Sequence, residues 1–168
     1  NISELGTLFT EIGPEFKLYK GLNAGISYRF IQKRQPDDSY SIRHRINTDL
    51  SYRFKIKDFT FALRERYQIQ YGENYFFGEG ETAKTTLRSK FSMKYRINKK
   101  WDASVFGEVF NPLFSGDMYF SDFRTGVGID YQIIKPLGVE VFYLINKELN
   151  VANPTTDYIS GIGLTYSF

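Results

Sequence analysis

The sequence predicts an all-β protein, an antiparallel up-and-down β-barrel of the transmembrane type. Apolar and polar residues alternate with period two along most of the chain, as they do in strands with two different faces. The predicted strands are long, about eleven to fifteen residues, where soluble sheets usually use five or six. Tight turns alternate with longer polar loops, which gives the sheet one short-turn end and one loop end.

The chain divides into about nine predicted strands. The first is expected to bulge or break at Gly13 and Pro14, because proline cannot donate a ladder hydrogen bond. Tight turns are predicted at 19–21, 55–58, 98–100 and 135–137, and longer connections at 32–39, 72–84, 111–118 and 150–157. The strands are predicted at 8–19, 22–34, 40–55, 58–71, 85–97, 101–111, 119–133, 138–149 and 157–168.

The composition predicts one domain over residues 1–168 and excludes several protein classes. Aromatic residues make up 18% of the chain, too many for a disordered segment. Cysteine is absent, which excludes disulfides, thiolate metal sites and cysteine nucleophiles. No apolar run reaches the ~18 to 20 residues of a membrane helix. The formal charge of +3 is spread without a basic block, so no nucleic-acid partner is expected.

Each predicted strand has one apolar and one polar face. In the strand near residue 90, for example, Leu87 and Phe91 fall on one row and Arg88 and Lys90 on the other. A soluble sandwich or barrel would turn the apolar rows inward, whereas a membrane barrel would turn them toward lipid. Periodicity alone leaves both arrangements open.

Three features favour the membrane arrangement. They are the strand length, the alternation of short and long connections, and aromatic residues at the strand ends, where membrane barrels carry two interfacial girdles. The candidates at the short-turn end are Phe54, Phe59, Tyr95, Trp101, Tyr131, Tyr166 and Phe168, and those at the loop end are Phe30, Tyr40, Tyr71, Phe110, Tyr119, Phe123 and Tyr158.

The last predicted strand carries a further signal. Apolar residues alternate along it up to Tyr166 and Phe168, and Phe168 is the final residue of the sequence. This pattern resembles the signal that outer-membrane barrels present to their assembly machinery. The alternative is an ordinary amphipathic strand.

The chain also resembles an uncharacterised family of bacterial outer-membrane β-barrels, domain of unknown function 2490. The resemblance extends over nearly the whole chain, and it implies a barrel fold and an outer-membrane location but no activity. It rests on the order and spacing of the pieces at 3–5, 21–34, 43–45, 63–68, 110–113, 126–131 and 150–154.

Several expectations follow from a barrel of this kind. Bacterial single-chain barrels have even strand numbers, so nine strands here predict at least one further upstream strand and ten to twelve in all. The expected location is the bacterial outer membrane. The expected partners are the lipid bilayer with its lipopolysaccharide, the barrel-assembly machinery through the C-terminal strand, and other outer-membrane proteins. No cofactor or metal is predicted.

The polar rows predict two charged surfaces in the lumen, segregated from each other apart from Asp49. We call them the basic wall and the acidic wall. The basic wall comprises Arg29, Arg43, Arg45, Arg53, Arg64, Arg66, Arg88, Lys90, Lys94 and Arg96, with Lys33 nearby, and the acidic wall comprises Glu11, Glu15, Asp102, Glu108, Asp130, Glu140 and Glu148.

Inward charge of this kind has two interpretations. Paired arginines and carboxylates plug the interior of a narrow barrel, which would then serve as a structural or docking subunit of a larger outer-membrane complex. Alternatively, the basic wall lines a narrow passive pore that favours anions. Glycines on the inward face at 126, 128, 161 and 163 are expected to relieve crowding against arginines or to permit bending.

An embedded lipid hydrolase is a third hypothesis, and it depends on the single histidine, His44. His44 falls on the apolar row, and its strand pairing is predicted to place it near Ile69. The polar residues proposed as its companions are Ser41, Thr48, Glu65 and Ser89. General-base catalysis requires hydrogen-bond reach, and no triad assembles from this pairing, so the chain is not expected to be an enzyme.

Overall fold

A computed structural model describes residues 7–35, 37–72, 83–113 and 119–166. They form ten antiparallel strands in one sheet that curls into a half-barrel. The strands are β1 (Thr7–Ile12), β2 (Glu15–Tyr19), β3 (Leu22–Arg34), β4 (Tyr40–Ile56), β5 (Phe59–Gly72), β6 (Lys84–Arg96), β7 (Trp101–Leu113), β8 (Asp122–Ile134), β9 (Leu137–Glu148) and β10 (Thr156–Tyr166). The all-β prediction is confirmed. In the predicted assembly signal, Tyr166 is the last residue of β10 and Phe168 lies outside the described residues.

From β3 onward the sheet is a simple meander in which each strand pairs with the next. β1 and β2 both pair with β3 and together fill one strand position, so the ten strands occupy nine positions. The predicted strand 22–34 coincides with β3, whereas the predicted strand 119–133 starts earlier than β8. The connection at 73–82 lies outside the described residues.

The predicted break at Gly13 and Pro14 is confirmed, because it separates β1 from β2. Gly13 lies so close to β3 that a Cβ there would overlap the backbone of Ile26 and Ser27. The ladder resumes at once, since the Ile26 N–H donates to the Pro14 carbonyl at 3.2 Å. Pro14 has no N–H to donate, but its carbonyl oxygen accepts this bond and so keeps the chain joined to β3.

The polar rows of the strands lie on the buried, concave side of the sheet. Asn47 is fully buried and Glu108 is 2% exposed, and Arg66, Gln68 and Arg88 are buried with them. The apolar rows face outward, with Ile162 and Leu164 about three-quarters exposed. The alternative in which the apolar rows turn inward is therefore wrong for this sheet.

β1 and β2 form one edge of the sheet and β10 forms the other, and the two edges do not pair with each other within the described part of the chain. The ten to twelve strands expected for the full barrel stay a prediction. No helix among the described residues is long and apolar enough to cross a membrane.

The connections are fixed by local hydrogen bonds. In the β3–β4 connection, Arg34 Nη2 lies 2.5 Å from Asp38 Oδ1. The Ser39 hydroxyl donates to Asp37 Oδ1 at 2.6 Å, and this bond holds the pKa of the Asp37 carboxyl below its ordinary value. The short turn before β3 needs Gly21, whose φ is +81°.

Candidate functional site: the inward charged surface

Glu108 on β7 is the centre of the inward charged surface. Arg88 Nη2 donates to both of its carboxylate oxygens, at 3.0 and 2.9 Å, and Arg64 Nη2 donates to Oε1 at 3.0 Å. Arg124 Nη1 lies 4.0 Å from Oε2. One buried carboxylate thus interacts with three guanidinium groups from three strands. Charge-assisted contacts of this kind are the strongest hydrogen bonds that proteins make.

A second ion pair extends this arrangement toward β4. Arg66 donates to both carboxylate oxygens of Asp49, from Nε and from Nη2, each at 2.6 Å. Arg88 also joins β6 to β5, because its Nη1 donates to Gln68 Oε1 at 3.0 Å. The middle of the sheet is therefore cross-linked by side chains from four adjacent strands, β4 to β7.

Other cations of the basic wall lack a carboxylate partner. Arg45 donates to the neutral amide oxygen of Gln70 at 2.6 Å and 3.1 Å. Lys90 Nζ lies over the Phe106 ring, 3.9 Å from its centroid. Within the described part of the chain neither cation has an ion pair, so both add to the positive charge around Glu108, where three arginines share one carboxylate.

The register aligns all the predicted wall residues on the inward rows. The two walls are less segregated than predicted, because they meet in ion pairs. Arg29 pairs with Glu11, Lys94 with Asp130 at 2.8 Å, and Arg96 approaches Asp102 at 3.9 Å. The carboxylates lie on the strands flanking the basic wall, β1 to one side and β7 and β8 to the other, and long cationic side chains reach them.

Sequence reasoning missed Arg124 and misplaced Phe110. Arg124 falls on the same row as Asp130, so the alternation along β8 contains the signal that places it inward. Phe110 was predicted in the loop-side girdle, which is wrong, because it lies on the Glu108 row. The Arg88 and Arg124 guanidinium carbons lie 4.6 and 4.9 Å from its ring centroid. These cation–π contacts explain an inward aromatic residue.

Two of the inward glycines, Gly126 and Gly161, accommodate aromatic rings instead of the arginines that were expected, whereas a Cβ on Gly128 or Gly163 would lie near Glu140. A Cβ on Gly161 would lie 2.8 Å from Phe142 Cε1 and closer still to Cζ. A Cβ on Gly126 would lie 2.8 Å from Phe106 Cε1. Large rings on β7 and β9 therefore occupy the space that missing side chains leave on β8 and β10.

His44 lies in an outward aromatic cluster. Its Nδ1 is 2.6 Å from the Tyr28 hydroxyl, and its ring is stacked with Tyr28 and Tyr71. The predicted pairing with Ile69 is wrong by two residues, since His44 pairs with Tyr71. A separate outward ring pair, Trp101 with Tyr131 at 4.5 Å between centroids, lies at the opposite, short-turn end of the sheet.

The companions proposed for His44 lie elsewhere. Ser41 falls on the opposite, inward row of β4. Ser89 donates to Glu65 Oε2 at 2.6 Å, and Glu65 pairs with Leu50, six residues along β4 from His44. Six strand residues span about 20 Å, which is far beyond hydrogen-bond reach.

The fold and this surface define a class, a curled β half-barrel with a charged, ion-paired interior. The chain belongs to the family of proteins of unknown function DUF2490, whose model matches residues 1–157. A search of curated proteins found no match.

Proposed function

We propose that this chain is an integral β-barrel of the bacterial outer membrane, with its apolar rows against lipid and its inward basic surface lining a narrow passive path that favours anions. The observation that supports the membrane assignment is the pattern of burial, in which polar side chains are buried and large hydrophobic side chains are exposed. Among the described residues the one buried hydrophobic side chain is Ile31, whereas buried arginines and Glu108 fill the inside.

The strand lengths fit this proposal. A tilted membrane strand needs about 9 to 11 residues to cross the hydrocarbon layer. β4 has 17 residues and β3, β6, β7 and β8 each have 13, so each is long enough to cross and to extend past the interface. The outward aromatic pairs at the short-turn end, Phe59 with Tyr95 and Trp101 with Tyr131, correspond to an interfacial girdle.

The anion preference rests on Arg45 and Lys90. Both lie on the inward rows and neither has an ion pair among the described residues, although Lys90 is directly across from Glu108 in the sheet. Cationic side chains along a pore lower the barrier for anions. Two buried polar atoms on the same surface, Asn47 Oδ1 and Arg64 Nε, have no partner among the described protein atoms. Buried polar atoms of this kind normally bind water, which favours a hydrated interior.

A closed barrel that serves as a docking subunit is the second candidate. It is favoured by Glu108, because one carboxylate shared by Arg64, Arg88 and Arg124 ties neighbouring strands together across the interior. In either case the C-terminal strand, with Tyr166 outward on β10, would be presented to the assembly machinery, and the outer face would meet phospholipid and lipopolysaccharide.

Single-channel conductance of the full-length protein in planar bilayers tests the pore. We expect discrete steps with anion preference, and a smaller preference in the double variant Arg45→Gln, Lys90→Gln. The matched control is Lys57→Gln, Lys147→Gln, which removes the same charge from a turn and from an outward row. An unchanged preference in the first variant would reject the role of these cations, and silence from folded protein would favour the closed barrel.

A further inference from the structure

A second basic feature lies at the short-turn end of the sheet, away from Glu108. A cavity of about 530 Å³ opens there between the β6–β7 turn and the β8–β9 turn. We call it the short-turn cavity. Two carboxylates line it together with five cationic side chains, Lys94, Arg96, Lys99, Lys100 and Lys135.

The two carboxylates are already engaged. Lys94 is paired with Asp130 and Arg96 approaches Asp102. The remaining cations are the turn lysines at 99, 100 and 135, and none of them has an ion pair among the residues that the structure describes. Lys100 Nζ lies 6.0 Å from the centroid of the Tyr131 ring, which is a distant cation–π contact. The cavity therefore holds an excess of three positive charges.

The walls of the cavity are held in place by hydrogen bonds. Asn98 Oδ1 accepts from the backbone N–H groups of Lys100 and Trp101, at 2.8 and 3.1 Å. The Gln132 side chain donates to three carbonyls in the β8–β9 turn, including that of Lys135 at 3.1 Å. The Gln132 N–H joins the two turns by donating to the Lys100 carbonyl at 2.8 Å. Because these walls are already ordered, a ligand loses less binding free energy to ordering them.

We propose that the short-turn cavity binds a small organic ligand that carries at least two phosphate groups. Lysine ammonium groups bind phosphate as point charges, and three unpaired ones match the charge of a diphosphate. The volume lies within the ~300 to 1,000 Å³ of small-molecule sites. Such a ligand is either a soluble organic phosphate or a lipid headgroup that carries two phosphates. This inference goes beyond permeation, because it concerns equilibrium binding and does not require an open lumen.

Calorimetric titration of the folded full-length protein with inorganic pyrophosphate, in uncharged detergent micelles, tests the site. The triple variant Lys99→Gln, Lys100→Gln, Lys135→Gln is expected to weaken binding by about tenfold or more, because it removes three charge-assisted contacts. The matched control is Lys20→Gln, Lys55→Gln, Lys57→Gln, which removes the same charge from the turns before β3 and β5 and from the last turnward residues of β4, and should leave the affinity unchanged.

A second arm identifies the source of the phosphate. The titration is repeated in phosphatidylcholine nanodiscs with and without cardiolipin, a lipid with two phosphates. Competition by cardiolipin would assign the cavity to a lipid headgroup, and unchanged pyrophosphate binding would assign it to a soluble phosphate. The proposal is overturned if folded wild-type protein does not bind pyrophosphate, or if the control variant loses as much affinity as the triple variant. Both results are read from binding alone, so a failure of this proposal is distinguishable from a failure of the conductance test.

Discussion

Arg88 on β6 and Glu108 on β7 form a buried bidentate ion pair, with Arg88 Nη2 at 3.0 and 2.9 Å from the two carboxylate oxygens. Both side chains are buried. A buried pair contributes little net stability compared with an apolar pair, but removal of one partner leaves an uncompensated charge. Glu108 is the more critical partner, because Arg64 and Arg124 approach the same carboxylate.

We therefore expect Glu108→Gln to lower the free energy of unfolding by about 3 to 5 kcal/mol. The amide keeps the shape of the side chain but leaves three guanidinium groups without their counter-charge. The measurement is urea unfolding of the protein in lipid or detergent, followed by tryptophan fluorescence. The control is Glu15→Gln at the exposed edge, where an amide oxygen can still accept from Asn23. Equal stability of the two variants would show that Glu108 is not the centre of the interior.

Gly161 provides a steric test of the inward aromatic packing. Gly161→Ala should destabilise the sheet by about 1 to 3 kcal/mol, because the added Cβ overlaps the Phe142 ring. Gly163→Ala is the matched control two residues along β10, since its Cβ would be 3.5 Å from Glu140, an ordinary contact. Unfolding measured for both variants should separate them, and Phe142→Leu should rescue the first. A neutral Gly161→Ala would mean that the ring moves aside freely.

The Glu65–Ser89 pair tests whether the outer face meets lipid. Glu65 lies near the middle of β5 on the outward row and is bonded to Ser89 on β6. A carboxylate at that depth of a membrane is costly, although less so than a lysine or arginine. We expect the double variant Glu65→Leu, Ser89→Val to raise the stability in bilayers by about 1 kcal/mol. A loss of stability in bilayers would indicate a polar environment for this pair.

The strands could be predicted from the sequence because period-two alternation is a local property. The bounds of β3 follow from it directly, and the break at Pro14 follows from the missing N–H of proline. Alternation alone could not show which way each face points, because apolar rows satisfy both a soluble and a membrane sheet. Strand length, the alternating connections and the aromatic residues at strand ends favoured outward apolar rows, and the burial of Asn47 and Arg66 shows that the polar rows lie inside the curled sheet.

The contacts inside the sheet were also beyond the sequence, since they depend on register and side-chain reach. Arg64 contacts Glu108 across β6, a strand to which neither belongs. Phe110 resembles a girdle residue by its place near a strand end, and only its row shows that it stacks under Arg88 and Arg124. Such contacts can be assigned only when both the face on which a residue lies and its neighbours on adjacent strands are known.

Site-directed spin labelling in bilayers tests the central claim, that the apolar rows face lipid and the polar rows face inward. The chain has no cysteine, so single cysteines can be introduced without background. Outward positions Leu63 and Phe91 are directly paired, as are the adjacent inward positions Ala62 and Ser92. The account predicts that labels at the outward pair collide with dissolved oxygen but not with an aqueous nickel chelate, and that labels at the inward pair are shielded from lipid-phase oxygen. Outward labels that the nickel chelate reaches freely would contradict it.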